Sequence, residues 1–535
     1  MPQRLVRRTS VRALSLGLFL FFVYMANGDV LPGNDATANV RLAAKIVSQR
    51  RLVFTPEEDP FLFEWHVQTP QGEQHAHFRS WNQPLGDEPV RIAYQRGEIG
   101  KPEPYYFLVK TRFPGLYTSR YGWGAALFAV PFVAAIYPFA RDMYDPSNVP
   151  LLWYACKVAA ASAVAASAVF VFLAALGFMG PGSAAGLALI YGLGTCVWSI
   201  SSQTLWQHGP TEFFLALGVF LMLKRDRPTL AYAVGLCFAM AFVCRPTAAV
   251  VALALVGYYL KNDRRALGRF ALGALPAILL LGVYNMYYFG RPLAFGQLGD
   301  ASTGLVSGLP AAPAAHVAVT DLFGRHLFEG LAGSLLSPSR GLLVFSPVVV
   351  FAFWGLGRTW RDPTYALLRP IGVAALANGL VAAAWYGWWG GWCYGYRLIV
   401  DSVTLLAFFA IPIVQPIRER RWLTVVFAAC AAWSVLVQVV GAFAYDVVGW
   451  NNRTVFVVEI PEQGRRVFID QDDARREAAV HGGKVEPREA DINSRAFRYR
   501  LWSLRDSEII YYLEHFSESR RLRQLVVRQF LRDKG

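Results

Sequence analysis

Charged residues are scarce in this chain of 535 residues, because Asp, Glu, Lys and Arg together make up only 17%. A typical soluble domain carries about 25%. Hydrophobic residues make up 55% of the chain, more apolar surface than a water-soluble protein could hide. The composition therefore excludes an ordinary soluble protein, a disordered chain and a coiled coil. It predicts a polytopic membrane protein.

Cysteine and nucleotide-binding motifs are also lacking. All six cysteines except Cys393 lie inside apolar stretches, and no CxxC occurs. This spacing indicates neither a disulfide framework nor a zinc site. The chain has no P-loop, no GxGxxG and no HExxH. Chemistry driven by a nucleotide bound to this chain is therefore not expected.

The net charge of +15 is the one feature that would suggest nucleic acid as a partner of a soluble chain. Here the basic residues fall mostly in short loops between apolar runs, where they set the membrane topology. We therefore expect no nucleic-acid partner. Aromatic residues make up 14% of the chain, with 16 Trp, and are typical of segments at membrane–water interfaces.

Eleven apolar segments are expected to cross the membrane. The first, Ala13 to Met25, follows four arginines and precedes no clean A-x-A cleavage site, so it is expected to be retained. A further apolar run, 121–140, is placed along the outer interface, because the basic clusters then lie in the cytoplasm with the N-terminus. The other ten spans are 151–178, 182–200, 211–223, 229–244, 247–260, 270–288, 341–357, 370–386, 402–417 and 422–444.

This topology predicts four parts. Residues 1–26 form a cytoplasmic stub and the first span, and 27–150 form an outer-face loop with interfacial helices. Residues 151–445 form the helix bundle, with a Gly- and Pro-rich outer loop at 289–340, and 446–535 form an outer-face tail. The tail ends in a basic amphipathic stretch, expected to lie on the membrane or on another domain. The protein is expected in the inner (plasma) membrane, in contact with membrane lipids.

Polar residues gather at the outer ends of the predicted spans. Asp35 follows the first span and precedes a helix-like run, so it is interpreted either as a helix N-cap or as a general base beside the membrane. Arg120, in the stretch Ser119-Arg120-Tyr121, is a candidate for holding a phosphate. The alternative for Arg120 is an ordinary interfacial anchor.

A second polar group lies at the junction of the third and fourth spans. His208 and Glu212 place two polar side chains close together in a membrane segment, where such residues are rare. His208 is a candidate to bind a substrate hydroxyl or share a proton, and the alternative is an interfacial His bonded to backbone. Arg245 ends the fifth span just before Pro246, and a cation at membrane depth is expected to have a partner.

The most unusual stretch is a run of aromatic residues and glycines at 385–397. Glycine lets the backbone approach a ligand closely, and the faces of Trp388, Trp389 and Tyr394 are expected to stack on sugar rings or pack against prenyl chains. Arg397, with Asp401 four residues later, is a candidate phosphate clamp. The alternative is an aromatic belt in which Arg397 pairs with Asp401.

Taken in order, these features resemble the polytopic glycosyltransferases of the GT-C class. Within that class they are similar to bacterial, family 39-like members related to protein mannosyltransferases and aminoarabinose transferases. The resemblance implies the GT-C fold, an all-α polytopic membrane protein with about 11 transmembrane helices. It rests on Asp35, the 119–124 stretch, the His208 junction, Arg245-Pro246, and the run 386–397 before Asp401.

The resemblance implies an inverting glycosyltransferase. It would move a sugar from a polyprenyl-phosphate-linked donor to a glycan, lipid or protein acceptor on the outer face of the membrane. Asp35 matches the first-loop carboxylate that deprotonates the acceptor, while Arg397, with Arg245 or Arg120, would bind the lipid phosphate. The chain departs from the family's pattern at one position, because many relatives carry an Asp near the junction where this chain has His208 and Glu212. Both residues are substrate-binding candidates.

Two further alternatives stay open. No definite cofactor is predicted. A divalent metal at Glu57, Glu58, Asp87 and Glu88 is the alternative to the solvated acidic face that is expected there. The alternative function is a transporter or flippase of lipid-linked sugars, which would use the same cavity without chemistry. Transporters usually place charged groups near the membrane midplane, whereas the polar residues of this chain cluster at the outer ends.

Overall fold

The computed structural model describes residues 3–69, 72–85, 88–224, 227–298, 323–324, 326–460, 464–469 and 471–533. It is mostly helical. Within these ranges, six helical stretches are long and apolar enough to cross a membrane, which makes the chain a multi-pass membrane protein. The predicted total of eleven crossings stays a prediction. The six stretches are Arg8–Met25, Val149–Ala175, Arg264–Phe289, Pro363–Ala384, Arg397–Glu419 and Arg421–Ala444.

The helices are numbered in chain order. They are α1 Gln3–Met25, α2 Asn34–Gln49, α3 Val90–Gln95, α4 Gly124–Ile136, α5 Val149–Ala175, α6 Pro181–Leu193, α7 His208–Leu223, α8 Leu230–Cys244, α9 Ala249–Asn262, α10 Arg264–Phe289, α11 Leu327–Leu336, α12 Leu342–Phe345, α13 Val350–Arg361, α14 Arg369–Ala384, α15 Val400–Ala407, α16 Val414–Glu419, α17 Arg421–Ala444, α18 Gln471–His481, α19 Glu508–Glu514 and α20 Phe516–Asp533.

Strands occur in the two parts predicted to lie outside the membrane. In the first loop, β1 pairs antiparallel with β2 and β5, and β3 with β4 and β6 with β7 form two short antiparallel pairs. In the tail, β8 pairs antiparallel with β9 and β10. The strands are β1 Phe63–Thr69, β2 Gly72–His77, β3 Pro84–Leu85, β4 Glu88–Pro89, β5 Glu103–Pro104, β6 Leu108–Lys110, β7 Tyr117–Ser119, β8 Asn452–Ile460, β9 Gly464–Phe468 and β10 Lys484–Asp491.

Helix α10 shows how the bundle is oriented. Asp263 caps its start by accepting hydrogen bonds from two backbone amides, and Gly290 ends it in the left-handed conformation at φ +75°. Its 26 residues span about 39 Å, enough to cross a ~30 Å hydrocarbon core. The basic residues of the 261–269 loop lie at its start, while Tyr288 near its end accepts a backbone hydrogen bond from Arg112 of the first loop. The basic loop and the first loop are therefore at opposite ends of the bundle.

Helix α4 corresponds to the apolar run that was predicted to stay at the interface. Its 13 residues are about 20 Å long, less than the thickness of the hydrocarbon core. Gly124 begins the helix against the end of α8, where an added Cβ would lie 2.7 Å from the backbone of Val243 and Cys244. This close approach joins the start of α4 to the end of α8, next to Arg245.

The C-terminal tail packs on the same end of the bundle as the first loop. Phe530 of α20 meets Trp153 of α5 edge to face, with ring centroids 4.8 Å apart. Arg523 is fully buried and donates to the carboxylate of Asp29, which lies just after α1. The basic amphipathic stretch of the tail thus docks on protein.

Candidate active site

Asp35 lies in the first turn of α2, directly after the chain leaves α1. The N-cap of this helix is Gly33, whose backbone is extended, and no side chain caps the helix. The interpretation of Asp35 as the cap is therefore wrong. Gly33 is also required for packing, because a Cβ there would lie 2.8 Å from the ring of Trp206.

The Asp35 carboxylate instead faces three side-chain donors. Its Oδ1 accepts hydrogen bonds from Tyr106 at 2.7 Å and from Tyr121 at 2.6 Å. Its Oδ2 accepts one from Nη1 of Arg397 at 2.9 Å. The side chain of Asp35 is 20% exposed and that of Arg397 is 13% exposed, so a ligand can approach both.

The three donors decide the protonation of Asp35. Burial raises the pKa of this carboxyl, but Arg397 and the two tyrosine hydroxyls outweigh burial and hold the pKa below its usual range. Burial and the Asp35 charge raise the pKa of Tyr106 and of Tyr121 well above 10, so both hydroxyls remain donors. Asp35 is therefore ionised at neutral pH, which is the state that a general base requires.

Arg397 reaches Asp35 because of the glycine-rich loop before it. The loop turns through left-handed backbone at Gly390 (φ +78°), Gly391 and Gly395, a conformation that side-chain-bearing residues rarely adopt. Nη2 of Arg397 donates to the carbonyl of Gly390 at 2.8 Å. Its guanidinium also lies 4.5 Å from the ring centroid of Trp206, in cation–π contact. These contacts aim the guanidinium at Asp35.

His208, Arg245 and Asp401 form a second, more deeply buried cluster. Asp401 pairs with Nη1 of Arg245 at 2.9 Å and lies 3.1 Å from Nδ1 of His208. Arg245 also contacts the His208 ring. Arg245 therefore has a charged partner, as expected for a cation at membrane depth. His208 bonds to charged side chains rather than to backbone. The alternative in which Arg397 pairs with Asp401 is wrong, because Arg397 pairs with Asp35.

The two clusters are neighbours along one segment of chain. Arg245 donates to the backbone carbonyl of Leu398 at 3.2 Å, one residue after Arg397. Glu212 lies one helical turn beyond His208, where its Oε1 accepts from Ser201 at 2.5 Å. The other carboxyl oxygen of Glu212 is buried without a hydrogen-bond partner. Glu212 thus lies deeper in the bundle, and its predicted role in binding substrate stays a prediction.

Arg120 lies on the other side of the Asp35 site. Its Nη1 donates to the backbone carbonyl of Tyr106, whose hydroxyl binds Asp35. Arg120 and Tyr121 line a small pocket between α8 and α10. Phe242, Leu281, Phe289 and Phe295 also line this pocket, together with the polar side chains of Asn285 and Gln297. The lining therefore combines the Arg120 cation, polar groups and apolar side chains.

The structure does not bring Trp388, Trp389 and Tyr394 to the Asp35 site. Trp388 and Trp389 are 3% and 5% exposed, and their indole N–H groups donate to side chains of Glu329 and Asn493. Tyr394 is fully buried and donates to the carbonyl of Val437 at 2.8 Å. All three hold the glycine-rich loop in place, and contact with substrate stays a prediction for them.

Two of the acidic residues considered for a cation, Glu58 and Glu88, bind basic side chains, while Glu57 is exposed. Glu58 accepts from Lys45 and from Arg51, each at 2.8 Å, and Glu88 pairs with Arg96. Asp87 lies outside the described residues. Within the described ranges no group of three His, Cys, Asp or Glu side chains could hold a metal ion.

The sequence does not assign a role to three contributors to the site, Tyr106, Tyr121 and Trp206. Tyr106 gave no signal, because one tyrosine among many aromatic residues in the first loop looks like packing. Tyr121 and Trp206 were noticed within polar and aromatic stretches, but no role was assigned to them. Asp401 carried a readable signal, an ionisable residue at the start of an apolar helix, yet its partner was misassigned.

No protein-family model matches the chain, and no curated protein matches it. Among solved structures, the chain is similar to ArnT from Cupriavidus metallidurans bound to undecaprenyl phosphate. The sequences are 12% identical, the alignment covers 98% of this chain and 76% of that one, and the TM-score is 0.45.

Proposed function

We propose that this chain is an inverting glycosyltransferase that uses a sugar linked to a polyprenyl phosphate. One observation carries the proposal: an ionised, partly exposed carboxylate, Asp35, is hydrogen-bonded to a partly exposed guanidinium, Arg397, at one end of a membrane helix bundle. A base beside a fixed cation is the minimum needed to activate an acceptor and stabilise a phosphate leaving group. The ordered sequence features that resemble GT-C enzymes support the same conclusion.

In the proposed reaction, Asp35 takes a proton from the acceptor nucleophile. The nucleophile forms a bond to the anomeric carbon while the bond from that carbon to the phosphate oxygen breaks. The electron pair of the broken bond stays on the phosphate, whose charge Arg397 and Arg120 offset. Because the nucleophile attacks from the side opposite the phosphate, the anomeric configuration inverts.

The Asp35–Arg397 pair suggests how the site would become active. The guanidinium that the donor phosphate needs is bound to Asp35 in this structure. A phosphate that draws Arg397 away would remove a contact that lowers the pKa of Asp35, and the carboxylate would become a stronger base. Donor binding would therefore prepare the base for the acceptor.

The donor lipid would lie along the pocket beside this pair. Arg120 in the lining suits a phosphate, and the aromatic and aliphatic side chains between α8 and α10 suit a prenyl chain. We place the site on the outer face of the plasma membrane, because the basic loops lie at the opposite end of the bundle. The acceptor would be a glycan, a lipid or a protein.

The proposal is tested by assaying purified protein in nanodiscs with a panel of labelled polyprenyl-phosphate sugars. We expect transfer of the sugar to an acceptor, or slow hydrolysis of the donor when no acceptor is supplied. Movement of the labelled lipid across the membrane without any covalent change would support a transporter or flippase instead and would overturn the proposal.

A further inference from the structure

The glycine-rich loop that carries Arg397 is held by the C-terminal tail. Glu508 of α19 accepts hydrogen bonds at the same carboxyl oxygen from Nη1 of Arg340, at 2.6 Å, and from the backbone N–H of Gly395, at 3.0 Å. Gly395 precedes Arg397 by two residues. Arg340 in turn donates to the carbonyl of Trp389 at 3.0 Å. Glu508 therefore touches the loop directly and also through Arg340.

Other tail residues extend this contact along the loop. Asn451 accepts from Nη2 of Arg340 at 2.9 Å, and Asp491 accepts from the indole of Trp392 at 2.8 Å. The guanidinium of Arg498 lies 4.3 Å from the ring centroid of Trp389. The loop is thus fixed from its tail side at several points before it delivers Arg397 to the site.

The tail also holds the segment that carries Asp35. Arg523 of α20 makes a two-pronged contact with the carboxylate of Asp29, with the nearest N···O distance at 2.7 Å. Lys157 of α5 donates to the backbone carbonyl of the same residue. Asp29 precedes Asp35 by six residues. The tail therefore contacts both chain segments that meet in the Asp35–Arg397 pair.

We propose that the C-terminal tail is a working part of the active site, in which Glu508 is a positioning residue that holds Arg397 in place through Gly395 and Arg340. This inference rests on the proposed function and adds to it. It gives a role to a segment that resembles no known domain by sequence. The tail would set the distance between base and cation rather than serve as a separate module.

The charge on Glu508 makes the arrangement sensitive to pH. Burial raises the pKa of Glu508 to about 7, against the lowering effects of Arg340 and the Gly395 amide, and Asp446 adds to the rise. As the pH falls through about 7, Glu508 takes up a proton and its bond to the Arg340 guanidinium weakens. The other titratable groups that interact with Glu508 are Cys393, Tyr394, Tyr445 and Tyr512.

The test compares wild type, Glu508→Gln and the matched control Glu514→Gln, which alters an exposed carboxylate on the same helix. Sugar transfer and the binding of a polyprenyl phosphate are each measured between pH 6 and pH 8.5. We expect kcat/KM of Glu508→Gln to fall about 10- to 100-fold at pH 8, as for a displaced catalytic group. The decline that wild type and Glu514→Gln show below pH 7 should be absent in Glu508→Gln.

Two results would overturn the inference. One is transfer and lipid-phosphate binding by Glu508→Gln that match wild type at every pH. The other is a loss of activity in which the decline below pH 7 stays unchanged, since this would mark a merely structural role. If Glu508→Gln does not fold, two other measurements test the positioning role of Glu508. They are the pH profile of lipid-phosphate binding by wild type and the activity of Arg340→Lys, which keeps the positive charge.

The measurements of sugar transfer and of lipid-phosphate binding also distinguish this inference from the proposed function. A wild type that transfers no sugar but binds the lipid phosphate with a Glu508-dependent loss below pH 7 would reject the enzyme and keep the positioning role. A wild type that transfers sugar with no contribution from Glu508 would keep the enzyme and reject the positioning role.

Discussion

Replacement of Asp401 by Asn gives a quantitative test of the buried cluster beside the active site. In the Arg245–Asp401 pair the side chains are only 9% and 3% exposed, and the N···O distance is 2.9 Å. The substitution keeps the shape of the residue but removes its charge. It leaves the Arg245 cation buried without a counter-charge, which costs about 3–5 kcal/mol. Most of that cost is desolvation of the remaining cation.

This cost translates into a measurable shift in Tm. An entropy of unfolding of roughly 2.1 cal/mol/K per residue gives about 1.1 kcal/mol/K for a chain of this length. We therefore expect Asp401→Asn to lower the Tm by about 3–5 °C. Thermal unfolding of the purified protein in detergent would measure it. Asp472→Asn is the control, because that carboxylate is 79% exposed and its loss should change little.

A double variant makes the reasoning refutable. Arg245→Met combined with Asp401→Leu removes both charges, so no buried ion is left uncompensated, and it should recover most of the lost stability. A double variant as unstable as Asp401→Asn would show that packing, and not an unpaired charge, causes the loss. An unchanged Tm in Asp401→Asn would show that the cluster is not an ion pair in the folded protein.

Three more outcomes are expected. Arg397→Lys should reduce sugar transfer about 100-fold without loss of folding, because a single ammonium cannot contact Asp35 and the Gly390 carbonyl together; a wild-type rate would contradict this. Gly390→Ala should cost about 1–2 kcal/mol in unfolding free energy, because its φ is +78°, while Gly257→Ala in an open helical position should cost nothing. Burial raises the pKa of Asp446 to about 6, so this group adds stability at low pH that is lost as the pH rises from about 4 to about 6. Asp446→Asn should flatten that part of the curve of Tm against pH, and an unchanged slope would contradict the assignment.

The sequence predicts the parts of the site better than their pairing. Asp35 and Arg397 can each be picked out in the sequence. A charged side chain at the end of an apolar run costs free energy and is therefore a candidate for function. Their contact joins residues 362 positions apart and depends on the turns at Gly390 and Gly395. Sequence proximity instead suggested a pair with Asp401, four residues from Arg397. Such long-range contacts are set by tertiary packing, which local patterns do not encode.

The fold also has features that the sequence predicts and features that it does not. Long apolar helices such as α5, α10 and α17 follow directly from composition, because about 20 apolar residues are needed to cross a membrane. The docking of the tail is harder to predict, because it includes buried polar contacts, such as Arg340 with Glu508, as well as apolar packing. Those contacts join separate elements, so no single stretch of sequence reveals them.

The most direct test of the central claim compares wild type with Asp35→Asn in the same sugar-transfer assay. Glu57→Gln serves as the control, because it neutralises an exposed carboxylate in the same loop. We predict that Asp35→Asn inserts, folds and binds the polyprenyl-phosphate donor but transfers sugar about 100- to 10,000-fold more slowly, the contribution of a general base. Transfer by Asp35→Asn at the wild-type rate would contradict the assignment of Asp35 as the base.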